Sequence, residues 1–349
     1  MGKYYQKFLT KNLSPIVNKM GIGHLTKPFY SGKGQILMFH RVIPRKAGDR
    51  IHNHLSLEIS PSQLEDIIIF FNKRHYDLIS PDMLPSWLET NSKTIRKFVI
   101  FTFDDGYRDN LDFAYPVFAK HKTPFTIYIT NSFPDKKAIL WWYIIEDLIL
   151  KNKKVSYSFS NCRIDLNCST YLNKEMAFSQ LRKIITGFNE TNLENELTGF
   201  FTKFGYSVTD YNSDLTLNWN EISELSKDPL VTIGAHTLNH YNLCNLTDNQ
   251  SYHEISESKR LIESKINSEV KHFSYPLGQY GLREIEYTKK TNFLTATTTK
   301  TANVFSNHLD HLFTLPRISI NSLTTENVLN LQVNGFFPAI LNKFKRVIY

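Results

Sequence analysis

A buried strand that ends in two adjacent carboxylates constrains this chain more than any other feature. Residues 99–103 are rich in β-branched and aromatic side chains, a pattern typical of a strand buried on both faces in a parallel sheet. Asp104 and Asp105 follow at its end, and Gly106 behind them allows the chain to turn sharply. In an isolated Asp pair, one residue usually caps a helix and the other faces water. The residues at the other strand ends therefore determine whether this pair has a functional role.

Strand and helix patterns alternate along most of the chain. The first buried strand is predicted at 35–40 and the last at 313–320, and Ser60 is predicted to cap a helix that runs to residue 74. This alternation predicts an α/β protein with a parallel sheet, either open or closed into a barrel. Residues 133–215 break the rhythm with a helix, a hairpin and two polar helices, which predicts an insertion on a scaffold loop.

The charge of the chain favours anionic partners. The formal net charge is +8 and the isoelectric point is near 9.1, which suits phospholipid or a phosphorylated substrate. No arginine-rich block or nucleic-acid signature is visible, so we expect no nucleic-acid partner. Residues 1–34 predict a basic amphipathic helix and a linker, and residues 326–349 predict a basic amphipathic tail. Such a tail packs on the domain or lies peripherally on an anionic membrane.

Cysteine usage and hydropathy bear on the cellular compartment. Cys162, Cys168 and Cys244 show no metal or redox spacing, and three free thiols suit a reducing compartment, although a Cys162–Cys168 disulfide is an alternative. The first 19 residues lack the apolar core of a signal peptide, and no segment approaches the roughly 20 apolar residues of a membrane span. We therefore expect a cytoplasmic protein that could rest on the inner face of the membrane.

Two histidines follow another predicted strand. His236 ends the strand 231–236, and His240 lies four residues further on, so a helical first turn or a tight turn can project both imidazoles to one side. Two imidazoles and one carboxylate leave positions for water and suit a catalytic zinc or similar divalent ion. Because the Asp and His pairs both end predicted parallel strands, we expect them to meet where α/β barrels place their sites.

These segments together carry a family resemblance. Residues 102–107, Thr-Phe-Asp-Asp-Gly-Tyr, and 236–240, His-Thr-Leu-Asn-His, resemble the first two motifs of the polysaccharide deacetylases of the NodB-homology type. Those proteins are metal-dependent carbohydrate N- or O-deacetylases. The resemblance begins in 37–42 and implies a distorted (β/α) barrel over residues 35–325, with a helical insertion and a metal at its open mouth.

The resemblance also implies roles for individual residues. Asp105, His236 and His240 resemble the metal ligands, and Asp104 resembles the general base. The metal is expected to be zinc or another divalent ion. Residues 273–278 resemble the third motif, but Ser274 stands where many members carry an arginine that orients the base. We therefore predict that Arg317 supplies this charge.

The general acid is assigned to a histidine. His40 ends the first predicted strand, and the Phe-His-Arg-Val stretch around it resembles a subgroup active on poly-N-acetylglucosamine. His311 lies in a literal match to the family's late Leu-x-His motif and is an alternative, as is the nearby His308.

The implied function is metal-dependent removal of an acetyl group from an N-acetylated sugar or glycan intermediate. The expected cytoplasmic setting favours a nucleotide-activated or lipid-linked substrate. An amidase acting on a non-sugar amide is one alternative, and a catalytically silent glycan-binding or assembly protein is another. Intact Asp104, Asp105, His236 and His240 favour an enzyme, since binding alone needs no such set.

Overall fold

The computed structural model describes residues 12–44, 50–55, 57–90, 96–188, 190–207 and 215–349. Its strands are β1 Gly34–Phe39, β2 Arg41–Val42, β3 Glu58–Ile59, β4 Asp77–Leu78, β5 Phe98–Phe103, β6 Phe125–Ile129, β7 Lys154–Ser158, β8 Arg163–Asn167, β9 Val231–Ala235, β10 His272–Ser274, β11 Thr295–Thr297 and β12 Ile318–Ser319. Its α-helices are 12–19, Ile22–Tyr30, His52–Leu55, Pro61–Lys73, Leu84–Glu89, Tyr115–Lys120, Trp141–Lys151, Tyr171–Ile185, Glu190–Lys203, Trp219–Leu225, Asp248–Ile266, Leu282–Lys290, Glu326–Val333 and Phe336–Leu341.

Eight of the described strands form one parallel sheet. Its order is β11-β10-β9-β6-β5-β1-β12, with β4 paired to the start of β5. The segment 315–319 reaches both edges of this sheet, because Leu315 bridges Thr297 of β11 while Ile318 pairs with Leu37 of β1. The sheet therefore closes into a distorted (β/α) barrel, which confirms the predicted fold class.

Aromatic packing between the strands and the outer helices holds the central part of this barrel. Every residue of β1, β5 and β6 is buried. The ring of Phe118, on the helix between β5 and β6, stacks on that of Phe125 with centroids 4.3 Å apart and meets Phe101 and Phe103 edge-on. Burial of such a side chain contributes about 1.5–3 kcal/mol, so this layer fixes the ends of the central strands.

Most predicted elements are confirmed at nearly their predicted bounds. Ser60 caps the helix Pro61–Lys73 by accepting a hydrogen bond from the Gln63 N–H. The predicted strand at 313–320 is too long, since β12 covers only Ile318–Ser319. Pro316 has no N–H for a strand ladder, and Leu315 before it forms only an isolated bridge.

The insertion has the predicted content and its own core. The helix Trp141–Lys151, the antiparallel hairpin of β7 and β8, and the helices Tyr171–Ile185 and Glu190–Lys203 enclose an apolar cluster separate from the barrel core. Glu146, on the helix Trp141–Lys151, accepts hydrogen bonds from the Arg50 guanidinium and the Ile51 N–H, and Arg50 also donates to Glu58 of β3. The bounds 133–215 stay a prediction, and residues 208–214 lie outside the described residues.

Helices from the two ends of the chain pack together. Asn18, on the helix 12–19, donates to the carbonyl of Asn327 at 2.8 Å. Gly335 has φ 81°, and a Cβ there would lie 2.4 Å from the backbone of Tyr30, so only glycine fits this contact. Residues 1–11 of the predicted amino-terminal helix and linker lie outside the described residues. Among the helices described, none combines the length and apolarity that a membrane span requires.

Candidate active site

The central side chains of the site follow the ends of β5 and β9, and residues after both strands have positive φ angles. Asp105 after β5 has φ 81°, and Thr237 and His240 after β9 have φ 67° and 60°. Left-handed angles at residues other than glycine cost about 1–3 kcal/mol each and persist where the surrounding structure enforces them. Gly106 has φ 86°, and an added Cβ would lie 2.9 Å from Ile129. The predicted sharp turn after the Asp pair is therefore confirmed.

Asp105, His236 and His240 converge as predicted. Their ligand atoms all lie within 4.8 Å of one another. The Nε2 atoms of His236 and His240 lie 3.6 Å and 3.5 Å from Oδ1 of Asp105. Nδ1 of His236 is 2.6 Å from the carbonyl oxygen of Ser274, which places the proton on Nδ1 and leaves an Nε2 lone pair directed at the cluster.

These three side chains fit a divalent cation. Oδ1 of Asp105 is buried and has no hydrogen-bond partner among the described residues. A buried carboxylate oxygen that faces two imidazole nitrogens is unfavourable without a positive charge between them. One carboxylate and two imidazoles are also the donor types of catalytic zinc sites. Cys244 lies in a separate turn, against Glu284, and is not part of the cluster.

Burial sets the protonation states that such a site needs. It lowers the pKa of His236 to about 3 and that of His240 to about 4, so both imidazoles are neutral near pH 7. Burial raises the pKa of Asp105 to about 6, and the Coulombic interaction with His40 opposes this rise. Neutral imidazoles and an ionised carboxylate are the forms that ligate metals.

Asp104 has a different partner. Arg317 is 1% exposed, and its Nη1 and Nη2 each donate to one oxygen of Asp104 at 2.7 Å. Burial alone would raise the pKa of Asp104, but the guanidinium outweighs it and holds this pKa well below its usual range. Asp104 is therefore ionised at every pH at which the protein would work.

The third predicted motif explains how Arg317 reaches this position. Ser274 ends β10, and its Oγ accepts a hydrogen bond of 3.0 Å from Nη2 of Arg317. Nε of Arg317 donates to the carbonyl of Thr298 and Nη1 to Oγ1 of Thr102, so every nitrogen of the guanidinium is engaged. A small serine leaves space for an arginine that enters from the last strand segment. The structure thus brings Arg317 to Asp104, and its role in catalysis stays a prediction.

Of the three candidate acids, the structure brings only His40 to the site. His40 follows β1 and is half-buried, and its charge lowers the pKa of both Asp104 and Asp105. His308 and His311 lie on the short helix Ser306–His311. That helix follows Val304, which bridges Gly34 at the opposite end of β1.

Trp142 lies at the site, a position that was not predicted from the sequence. Its ring lies 6.3 Å from that of His240, and its Nε1 donates to the hydroxyl of Tyr107 at 3.2 Å. The neighbouring Trp141 packs against the core of the insertion. The structure therefore gives these two neighbouring tryptophans different surroundings.

A second group missed by the sequence supports the end of β1. Nε of Arg41 donates to Asp109 at 2.6 Å, and its guanidinium lies 5.0 Å and 4.8 Å from the ring centroids of Tyr107 and Tyr143. Asn110 donates to the carbonyl of His40 at 3.0 Å. These contacts fix the backbone that carries His40. Only the position of Asp109, four residues after Asp105 in the sequence, could have suggested this group.

A parallel barrel with buried carboxylates and imidazoles at the carboxyl ends of its strands defines an α/β-barrel protein with an enzyme-like site. The chain belongs to the polysaccharide deacetylase family, since the model of that family, "Polysaccharide deacetylase", matches residues 91–296. This match confirms the resemblance identified from the two motifs.

Three similar proteins share 20% or less of their aligned sequence with this chain. The protein YxkH of Bacillus subtilis (strain 168) is 20% identical over 265 residues. These residues are 76% of this chain and 64% of that protein, so the chain spans less than two thirds of this curated relative. The Streptococcus pyogenes deacetylase PplD, solved in complex with acetate, superposes with a TM-score of 0.55 at 17% identity, covering 86% of this chain and 98% of that one. IcaB from Ammonifex degensii gives a TM-score of 0.53 at 15% identity, covering 87% and 97% of the two chains. Both structures show the shared fold.

Proposed function

We propose that this chain is a metal-dependent deacetylase that hydrolyses the acetyl group of an N-acetylated sugar. The observation that carries the proposal is the pair of neighbouring carboxylates with different partners: Asp105 faces two neutral imidazoles, and Asp104 is ionised against Arg317. Membership of the polysaccharide deacetylase family supports the reaction class.

The chain's own residues divide the reaction between them. Asp105, His236 and His240 would hold a divalent ion, which polarises an acyl carbonyl and increases the acidity of a water molecule. Asp104 accepts a proton from the attacking water, and Arg317 keeps the carboxylate ionised and oriented for this step. His40, on the neighbouring strand end, donates a proton to the amine as its bond to the acetyl carbon breaks. The products are acetate and a free amino sugar.

We propose that the sugar ring is bound partly by the insertion. The ring of Trp142 lies beside that of His240, with centroids 6.3 Å apart, and indole rings bind apolar sugar faces well. A nucleotide- or lipid-linked glycan intermediate is the proposed substrate, and the basic charge of the chain suits its phosphate groups. We also propose a cytoplasmic setting, which is supported by the free thiols of Cys162, Cys168 and Cys244.

Acetate release from N-acetylated sugars, with parallel metal analysis, tests this function. We expect protein loaded with zinc to release acetate, chelator-treated protein to release none, and re-addition of zinc to restore the rate. Retained metal with cleavage of a non-sugar amide and no acetate from any sugar would favour the amidase. A metal-free protein that binds glycans without turnover would favour a binding or assembly role.

A further inference from the structure

The two ends of the chain build a surface that the catalytic proposal does not use. We define the terminal surface as residues 12–30 and 336–349. Among the described residues, seventeen large apolar side chains are exposed, and nine of these belong to the terminal surface. The nine are Leu13, Ile16, Met20, Leu25, Phe29, Ile340, Leu341, Phe344 and Tyr349.

The two segments of the terminal surface touch each other. The hydroxyl of Tyr30 donates to the carbonyl of Phe344 at 2.7 Å, and the rings of these residues meet with centroids 6.4 Å apart. Nε of Arg346 donates to the carbonyl of Phe29 at 2.8 Å. Leu25 and Phe29 are one helical turn apart and are 74% and 60% exposed. Apolar side chains from both chain ends therefore lie next to one another in contact with solvent.

The charge of the terminal surface is of one sign. Lys19, Lys27, Lys343, Lys345 and Arg346 are all exposed, and neither segment contains an Asp or Glu. Residues 1–34 and 335–349 together contain nine basic and no acidic residues, so the remaining 300 residues carry 32 basic and all 33 acidic residues. The whole net positive charge of the protein thus comes from its two ends.

From these observations we propose that the terminal surface docks the protein onto an anionic phospholipid bilayer. Exposed leucine and phenylalanine side chains interleaved with lysine and arginine are the composition of elements that lie in a membrane interface. The apolar groups enter the boundary between headgroups and acyl chains, while the basic groups bind anionic headgroups. A second copy of the chain fits this surface less well, because two copies would bring like charges together without an acidic partner.

The position of this surface leaves the candidate active site open to water. The helix Ile22–Tyr30 leads through residues 31–33 into the amino-terminal end of β1. His40 and Asp104 follow the carboxyl-terminal ends of β1 and β5. A bilayer bound at the terminal surface therefore does not cover the strand ends that carry the site.

Sedimentation with lipid vesicles tests this proposal without any assay of activity. The full chain is mixed with vesicles of equal parts phosphatidylglycerol and phosphatidylcholine, or of phosphatidylcholine alone. We expect binding to the anionic vesicles, weak binding to the neutral ones, and loss of binding as salt is raised. The triple variant Lys343→Gln, Lys345→Gln, Arg346→Gln should bind the anionic vesicles up to about 100-fold less tightly, since each basic group near such a surface contributes roughly a factor of five.

A matched pair of apolar variants separates this surface from general hydrophobicity. Leu25→Ser with Phe29→Ser should weaken vesicle binding by about tenfold or more. Leu172→Ser with Met176→Ser is the control, because these residues are also one turn apart and are 68% and 64% exposed, but lie on the insertion. The control should bind as the unmodified chain does. All four side chains are exposed, so circular dichroism should show folded protein in both variants.

Three outcomes would overturn the proposal. Equal binding to neutral and anionic vesicles would contradict the role of the basic residues. An equal loss of binding in both double variants would show that the terminal surface has no special part. Absence of vesicle binding, together with a dimer in light scattering that Leu25→Ser with Phe29→Ser dissociates, would assign this surface to contact between two copies of the chain.

Discussion

Asp104 and Asp105 are consecutive residues with almost the same exposure, 3% and 5%, yet their surroundings are opposite. Asp104 receives two hydrogen bonds from a buried guanidinium, and its pKa is held low. Asp105 lies against two neutral imidazoles, and burial raises its pKa to about 6. The left-handed backbone of Asp105 accompanies this divergence. One strand end can therefore supply two carboxylates with different tasks.

The largest expected effect comes from removing the carboxylate that faces the imidazoles. Asp105→Ala should lower the amount of bound zinc and reduce acetate release to background, because two imidazoles alone hold a divalent ion weakly. Metal analysis and acetate release are measured on the same preparation. Asp165→Ala, at an exposed position of the insertion hairpin, is the control and should keep both properties. Undiminished turnover in Asp105→Ala would remove this residue from the site.

Asp104→Asn should keep zinc and lose rate by about 10²–10⁴-fold, the usual contribution of a general base. This substitution also leaves the buried guanidinium of Arg317 without a counter-charge, which destabilises the fold. Asp104→Asn combined with Arg317→Gln removes both charges and serves as the second variant. Both should bind zinc in a titration while releasing acetate slowly. A rate like that of the unmodified protein in either variant would exclude Asp104 as the base.

Arg317→Ala tests what keeps Asp104 ionised. Without the guanidinium, burial is the main influence left on Asp104 and raises its pKa, so the acidic limb of the pH–rate profile should move to higher pH. Loss of one partner from a buried ion pair should also lower the free energy of unfolding by about 3–5 kcal/mol. Urea unfolding and the pH dependence of kcat measure the two effects. Arg317→Lys keeps the positive charge but loses the paired hydrogen bonds to Asp104, so its acidic limb and its stability should lie between those of Arg317→Ala and the unmodified protein. An unchanged acidic limb in Arg317→Ala would contradict this role of Arg317.

The pH dependence of zinc binding tests the raised pKa of Asp105, which distinguishes this residue from Asp104. Between pH 4 and 6 the imidazoles, with pKa values of about 3 and 4, are mostly neutral, while Asp105, with a pKa of about 6, is mostly protonated. Zinc must displace that one proton, so affinity should fall by about tenfold for each pH unit below 6. Calorimetry at pH 5 in two buffers of different ionisation enthalpy counts the protons released. About one proton is expected, and two or more would assign the titration to the histidines.

The smallest expected effect concerns the insertion. Trp142→Ala should raise KM by about two- to tenfold, which corresponds to the 0.5–1.5 kcal/mol of a specific aromatic contact, and change kcat less. Trp141→Ala is the matched control, because this side chain packs in the insertion core and should affect thermal stability more than KM. Steady-state kinetics on one N-acetylated sugar measures both variants. Equal changes of KM would show that the two tryptophans act through the insertion as a whole.

Sequence patterns sufficed for a parallel α/β sheet and for the convergence of Asp105 with His236 and His240, while the family resemblance was needed to choose a closed barrel over an open sheet. Strand burial and strand–helix alternation are local signals, and the parallel arrangement brings strand ends to one place without further information. The length of the last strand was wrong because Pro316 ends its ladder on one side and the segment bridges two sheet edges instead.

Other parts of the site depend on distances that sequence patterns do not contain. The choice among His40, His308 and His311 required the position of Val304 against the start of β1. Trp142 reaches His240 from the first turn of the helix Trp141–Lys151, whereas its neighbour Trp141, of the same residue type, packs against the insertion core. The opposite pKa shifts of the Asp pair follow from the burial of both carboxyl groups and from the guanidinium of Arg317, which lies more than 200 residues away in the chain.

A zinc titration of two variants under identical conditions tests the central claim, that neighbouring carboxylates divide the work of metal binding and proton transfer. Asp104→Asn with Arg317→Gln should bind zinc as the unmodified protein does. Asp105→Asn should bind zinc more than about tenfold more weakly. Mutation of a residue that only hydrogen-bonds to a metal ligand already costs about tenfold in affinity, and Asp105 is itself a proposed ligand. An equal loss of zinc affinity in both variants would contradict the division.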